Sequence, residues 1–186
     1  IKTLLRTNKI EAGLLPFLKI NDEFVLNETS NTSSVFIRTA MEHNCRDSSY
    51  SKLVHSFTND PNPFFVADIN SETLTKYPYL QLIKDAGIEG ILIIPLSWNK
   101  KLMGILELSS TTKDELYEKM IARLEPVLPL LSQLLKQRVE DFDNNIQTVI
   151  KEKFTSLQPS VEWKFNEVAW KYLAQKNKNG TDTLEP

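Results

Sequence analysis

Hydrophobic and polar positions alternate in short runs over the first part of the chain. Two apolar runs, at 14–20 and 23–26, flank the polar pair Asn21-Asp22. Both residues of that pair accept the left-handed backbone conformation that tight turns need. The pattern therefore predicts a β-hairpin, preceded over residues 1–12 by the end of a helix that Ala12 and Gly13 break.

Helical spacing follows the hairpin. Apolar residues recur every three or four positions over 34–43 and again over 48–57, which predicts two short helices, the first of them capped by Thr32 or Ser33. Residues 64–69 read as a strand, and residues 71–86 as a helix interrupted near Pro78.

The clearest strand signals are two apolar runs at 90–96 and 102–108, joined by the polar tip 97–101. They predict a β-hairpin with both faces covered, by helices on one side and a pocket-forming layer on the other. Gly104 stands in the middle of the second run, where glycine normally weakens a strand. It indicates that a helix or a ligand approaches the backbone closely there.

From Thr111 onward the pattern predicts helix, with a kink or restart at Pro126 and Pro129. Beyond them an apolar stripe about two residues wide runs along a polar helix, as in a coiled-coil seam. A small domain should not be able to cover such a stripe, so we expect a signalling helix that forms a homodimer. The interface residues expected are Leu131, Leu135, Val139, Phe142, Ile146 and Ile150. Another helix is predicted over 161–173.

Composition narrows the function classes. The 186 residues are 41% hydrophobic and 25% charged, with a net charge of −2, which favours a folded domain and argues against a nucleic-acid-binding one. The chain has no apolar run long enough to span a membrane, so we expect no membrane partner and a cytoplasmic location. It does not begin with Met, and we expect a fragment of a larger protein with a downstream effector domain.

Specific motifs in the middle of the chain resemble the GAF domain family of small sensory modules. They are Val66-Ala67-Asp68-Ile69, the segment 86–96 (AGIEGILIIPL) and the segment 101–109 (KLMGILELS). The residues that match the family pattern are Gly87, Ile88, Pro95, Leu96, Gly104, Leu106 and Leu108. The resemblance covers about 12–138. The segment 154–165 is similar to an extension that follows the GAF domain in one group of bacterial multidomain proteins.

The resemblance implies an α+β fold. A central antiparallel sheet of about five or six strands would carry the first and last helices on one face, with a ligand pocket on the other. It divides the chain into a GAF-like sensory domain (1–138), a signalling helix with a helical extension (139–175) and a disordered tail or linker (176–186).

Five residues are candidates for such a ligand pocket: Arg38, Asp68, Asn70, Tyr77 and Glu107. Asp68 either caps the helix near Ser71 or points into the pocket, and we favour the cap. Glu107 lies inside an apolar strand, where a lone carboxylate is costly. We therefore expect it to face solvent between helices or to pair with Lys101 or another cation.

Cofactors and catalysis are not expected. The single cysteine, Cys45, excludes a disulfide framework and makes the reduction of free methionine sulfoxide, an activity of some GAF domains, very hard to support. Because Arg46 rather than His follows Cys45, the bilin-attachment motif is incomplete, and no metal site is indicated. The function expected is a non-catalytic sensory or regulatory domain that binds an unidentified small molecule or partner. The alternative is a degenerate GAF fold with a filled pocket that serves only for dimerisation.

Overall fold

The computed structural model describes residues 1–5, 7–26, 34–42, 46–153 and 162–179. The six strands of this part of the chain are β1 (Ile10–Pro16), β2 (Leu18–Ile20), β3 (Glu23–Val25), β4 (Phe64–Val66), β5 (Gly90–Trp98) and β6 (Lys101–Ser110). The helices are α1 (Lys2–Leu5), α2 (Val35–Glu42), α3 (Arg46–Asn59), α4 (Ser71–Lys76), α5 (Gln81–Asp85), α6 (Met120–Leu124), α7 (Leu128–Lys153) and α8 (Glu162–Asn179).

Four of the strands form an antiparallel sheet in the order β1-β6-β5-β4. The β5–β6 hairpin at its centre confirms the strongest strand prediction. Its turn residues Asn99 and Lys100 have φ values of 49° and 65°, as a tight hairpin turn requires. Strands β2 and β3 form a separate two-stranded sheet, so the sheet expected with five or six strands is split into four and two.

Both faces of the four-stranded sheet are covered, as the apolar runs predicted. Because neighbouring side chains along a strand point to opposite faces, Ile91, Ile93 and Ile105 pack towards α2 and α3. Leu92 and Leu106 pack on the other face, towards α1, α6 and α7. The first and last helices of the domain thus share one face, in agreement with the arrangement that the resemblance implies.

The β2–β3 hairpin forms at the predicted turn. Asn21 and Asp22 adopt φ values of 50° and 67°. Its buried residues Leu18 and Ile20 lie outside the four-stranded sheet. They contact the C-terminal half of α7 and one side of α8.

Two local predictions are wrong. Residues 10–12 are not the end of a helix, because they begin β1, which pairs with β6 from Ile10–Ser110 to Pro16–Gly104. The helix expected from Thr111 begins only at Met120, and Asp114 has a φ of 59°, which a continuous helix does not allow. The interruption at Pro78 is confirmed by a short 3-10 turn over Pro78–Leu80 between α4 and α5.

The boundaries drawn at 138 and 175 stay predictions. Helix α7 runs through the first of them without a break, and the tail predicted over 176–186 lies outside the described residues from 180 onward. Among the described helices, none is both long enough and apolar enough to cross a bilayer.

Candidate regulatory site

Glu107 lies at the centre of the candidate site. It belongs to β6, opposite Gly13 and Ile93, and its side chain is on the sheet face that α2 and α3 cover. The residue is 1% exposed. The expectation that it faces solvent or pairs with a cation such as Lys101 is therefore wrong.

The partner of the Glu107 carboxylate is the N-terminus of α2. The Ser34 hydroxyl donates to Oε1 at 2.8 Å, and the Val35 amide donates to Oε2 at 2.8 Å. The first amides of a helix have no partner within the helix and carry a partial positive charge, so a carboxylate is stabilised there. Glu107 thus caps a helix that is distant in sequence.

Ser34 has a second role at the same helix end. Its Oγ accepts a hydrogen bond from the Ile37 amide at 3.1 Å, which is the usual geometry of an N-cap serine. Ser34 and Glu107 together bind successive amides of the first turn. The sequence pattern placed the cap one or two residues earlier, at Thr32 or Ser33, and both of those residues lie outside the described part of the chain.

Burial raises the pKa of Glu107 from 4.5 to about 7. Hydrogen bonds from Ser34, Phe36 and Val35 and the charge of Arg38 lower this pKa, but they only partly offset the loss of hydration. Glu107 therefore changes charge in the neutral pH range, although it is a carboxylic acid.

Arg38 is close to this group but is bound elsewhere. Its guanidinium contacts the Glu11 carboxylate at 3.1 Å, and both side chains are more than half exposed. Glu11 is opposite Ser109 on β6, two residues from Glu107. The ion pair therefore connects α2 to β1 near the Glu107 contact.

Asp68 and Asn70 lie at a different place, between β4 and α4. Asn70 caps α4 by accepting from the Thr73 amide at 3.0 Å. Asp68 forms an ion pair with Lys113 at 3.2 Å. The prediction that Asp68 caps α4 is wrong. Asn70 immediately precedes the helix, so its side chain reaches the first turn, whereas Asp68 lies two residues earlier in the chain.

Tyr77 is half-buried and packs edge-on against Phe64, with ring centroids 5.0 Å apart. Lys76 lies over the same ring, 5.1 Å from its centroid. Of the five candidate residues, the structure brings Arg38 and Glu107 together near the start of α2, and Asp68 and Asn70 together at the start of α4. Whether any of the five binds a ligand stays a prediction.

The layer between the sheet and α3 contains closely packed apolar side chains. Tyr50 is 2% exposed, and its ring meets Phe17 edge-on at a centroid distance of 6.3 Å. Leu53, Val54 and Phe57 extend this layer along α3. The described residues hold no group of three or more His, Cys, Asp or Glu side chains placed to bind a metal ion.

The apolar stripe predicted as a dimer interface is covered by the chain itself. Leu135 is 1% exposed and packs on the sheet with Leu131 and Val139. Phe142, Ile146 and Ile150 are 5–6% exposed and pack against the β2–β3 hairpin and α8. The argument that a small domain cannot cover this stripe is wrong, because the short hairpin and α8 supply the surface that the sheet lacks.

Two asparagines join α8 to the hairpin. The Asn21 side-chain amide donates to the Trp163 carbonyl oxygen at 2.8 Å, and the Asn166 amide donates to Asn21 Oδ1 at 3.1 Å. A small cavity of about 130 Å³ lies beside them and is also lined by Asp143. Phe142 and Trp170 complete the contact, with ring centroids 5.3 Å apart. We call this contact between hairpin, α7 and α8 the hairpin clasp.

Comparisons with known proteins add to this description. No protein-family model matches the chain, and no curated protein matches it. One similar solved structure is the GAF domain region of a Geobacter sulfurreducens PCA protein, with 19% identity, a TM-score of 0.40 and coverage of 73% of this chain and 87% of that one. Another is a domain of a Sinorhizobium meliloti 1021 protein described as a two-component sensor histidine kinase, with 16% identity, a TM-score of 0.48 and coverage of 77% and 89%.

The central antiparallel sheet, the helices that share one face and the long C-terminal helix are those that the GAF resemblance predicted. The chain has a GAF-like fold. At identities this low, the likeness to solved structures concerns the fold alone.

One expectation about GAF-like chains needs correction. A further similar structure is fRMsr of Staphylococcus aureus in complex with its substrate, with 15% identity, a TM-score of 0.38 and coverage of 69% of this chain and 73% of that one. A free methionine-R-sulfoxide reductase from Thermoplasma acidophilum is also similar in fold. The expectation that the chain is not an enzyme rested on its single cysteine, and it is wrong, because enzymes are among the solved structures that the chain resembles in fold. Cys45 lies outside the described residues.

Proposed function

We propose that this chain is a GAF-type regulatory domain that transmits a conformational change at its sheet to the C-terminal extension. In this proposal a small molecule or a partner acts on the side of the sheet that α2 and α3 cover. Helix α7 transmits the change to α8, which biases an effector domain or partner. The single cysteine is consistent with placing such a domain in the cytoplasm.

The observation that carries the proposal is the way α7 is shared between two clusters of side chains. Its first half packs on the sheet through Leu131 and Leu135, and its second half packs on the hairpin and α8 through Phe142 and Ile146. Val139 contacts both clusters. Because packed side chains tolerate little displacement, a shift of α7 on the sheet would have to be accommodated at α8.

Ligand binding can be tested by native mass spectrometry of the full chain purified from cells under mild conditions. We expect an added non-covalent mass that is lost when the same sample is denatured. The control is the same preparation after denaturation and refolding in buffer alone, which should lack the added mass. A bare chain mass in freshly purified protein would contradict a stably bound ligand and favour the second candidate.

A dimerisation module is the second candidate function, and one feature of α7 favours it. Leu130 and Leu134 lie one turn apart on its outer face and are 65% and 41% exposed. Four of the six residues predicted for the interface are buried and the other two are half-buried, so a homodimer through α7 would use this outer pair instead.

Sedimentation velocity over a range of concentrations distinguishes the two candidates. If the chain is a dimer through this face, the double variant Leu130→Glu with Leu134→Glu should be monomeric. A double variant on α3, Ser51→Glu with Ser56→Glu, adds the same charge at exposed positions on the other side and should leave association unchanged. A wild-type chain that is monomeric at all concentrations would contradict dimerisation through α7.

A further inference from the structure

Helix α2 is attached to the sheet by a buried carboxylate that contacts no cation among the residues that the structure describes. The described partners of the Glu107 carboxylate are the Ser34 hydroxyl and the first amides of α2. Arg38, whose charge acts on Glu107, makes its own contact with Glu11 instead. An ionised Glu107 is thus stabilised by dipoles and by the charge of Arg38 from a distance, and no cation of the described part of the chain contacts it.

The other groups around Glu107 do not supply that charge. On the neighbouring strands, its direct opposites Gly13 and Ile93 are not ionisable, and Glu11 carries a negative charge. Helix α3 contributes the Tyr50 phenol, whose pKa burial raises, so it is neutral at physiological pH. Lys52 and His55 of α3 are exposed to solvent.

The first turn of α2 is itself packed into the apolar layer. Val35, Phe36 and Ile37 are 1–3% exposed and contact the cluster that α3 and the sheet share. Helix α2 therefore covers Glu107 from water, and hydration of the carboxylate requires the first turn of α2 to move away from β6.

We propose that α2 is a pH-sensitive lid on the sheet, closed when Glu107 is neutral and loosened when Glu107 is ionised. This proposal does not depend on the proposed function, because it requires only the contacts between β6 and α2. A neutral Glu107 donates or accepts at Ser34 and still accepts from Val35. Water stabilises an ionised Glu107 carboxylate more than these hydroxyl and amide dipoles do, so ionisation favours opening.

The direction in which the open population changes with pH follows from the linkage between opening and the protonation of Glu107. In the closed form the pKa of Glu107 is about 7, and in an open, hydrated form it returns towards 4.5. Between these two values the open form binds fewer protons, so its population rises as pH rises, by about tenfold per pH unit at most. Above the closed-form pKa both forms are ionised and the population of the open form levels off.

Hydrogen exchange of the full chain, followed by mass spectrometry at several pH values from 5 to 8.5, tests the lid. Exchange rates are first corrected for the intrinsic effect of pH on amide exchange. We expect the protection of residues 35–42 to fall about tenfold or more between pH 5 and 7 and then to stay constant. Protection of β5 and β6 should change much less, because the lid opens locally.

Variants separate the role of Glu107 from a general effect of pH. Glu107→Gln keeps an acceptor for Val35 and a donor for Ser34, and its α2 protection should not depend on pH. Glu125→Gln removes an exposed carboxylate of another element and should keep the wild-type pH dependence. Ser34→Ala removes a hydrogen bond that lowers the pKa, so the pH at which protection levels off should rise.

Two results would overturn the proposal. The first is wild-type protection of α2 that does not change between pH 5 and 8.5, which needs no variant to be observed. The second is an equal pH dependence in wild type and Glu107→Gln, which would assign the effect to another group.

Discussion

Leu135 of α7 lies directly over Gly104 of β6. A Cβ atom added to Gly104 would be 3.0 Å from Leu135 Cδ1 and 2.1 Å from the backbone carbonyl oxygen of Leu15. The close approach that the mid-strand glycine indicated is therefore made by a helix and by the neighbouring strand. At this point α7 packs directly against the backbone of the sheet.

Replacement of Gly104 by Ala should lower the free energy of unfolding by about 1–3 kcal/mol, because the added methyl group must displace backbone or Leu135. Urea denaturation measures this loss. Gly87→Ala is a useful comparison, since a Cβ there meets no atom within 4 Å and only the positive φ of 79° opposes it. Equal stability of Gly104→Ala and wild type would contradict the close approach.

The hairpin clasp should depend on its two asparagines. Asn21→Ala removes the donor to the Trp163 carbonyl oxygen and the acceptor for Asn166, and Asn166→Ala removes one of these bonds. We expect faster hydrogen exchange in α8 for both, with the larger change for Asn21→Ala, because each bond contributes about 0.5–1.5 kcal/mol. Asn145→Ala, at an exposed position of α7, should leave α8 unchanged. Unchanged exchange in Asn21→Ala would show that the clasp does not hold α8.

The elevated pKa of Glu107 also predicts how global stability changes with pH. The folded-state pKa of about 7 exceeds the ordinary value of 4.5, so the group stabilises the fold fully only below about pH 4.5. That stabilisation is lost as pH rises through 7. Urea denaturation at pH 5 and pH 8 should show a larger decrease for wild type than for Glu107→Gln. Identical decreases in the two proteins would mean that Glu107 has an ordinary pKa.

The roles assigned to Asn70 and Asp68 can be tested by their separate substitution. Asn70→Ala removes the cap of α4 and should cost about 0.5–2 kcal/mol of unfolding free energy. Asp68→Ala removes a partly exposed ion pair with Lys113 and should cost about 1 kcal/mol or less. Thermal unfolding of both variants gives the order, and a larger loss for Asp68→Ala would restore Asp68 as the cap.

Much of the fold could be predicted from residues that determine local structure. Asn21-Asp22 and the β-branched runs around Ile93 and Ile105 specify their hairpins through turn conformation and burial, which are properties of neighbouring residues. The first part of β1 was missed because its pairing with β6 joins residues that are nearly 100 positions apart. Its short sequence alternates too weakly to indicate a strand.

The candidate site could be predicted less well, because its contacts are distant in sequence. Glu107 is conspicuous as a charge among leucines, but its partner Ser34 is 73 residues away and belongs to a different element. The stripe on α7 was recognised correctly as apolar. The surface that covers it, formed by Ile20, Ala169 and Trp170, could not be identified from the spacing within the helix.

Hydrogen exchange of α8 in the Leu135→Ala variant shows whether α7 transmits changes from the sheet to α8. Leu135 touches the sheet but belongs to a different cluster from α8. Leu53→Ala on α3 is the matched control, because truncation of either buried leucine should cost about 2–5 kcal/mol. We expect the amides of residues 162–179 to exchange faster in Leu135→Ala than in Leu53→Ala, when the two variants are compared at equal global stability. Equal exchange of α8 in the two variants would contradict a relay through α7.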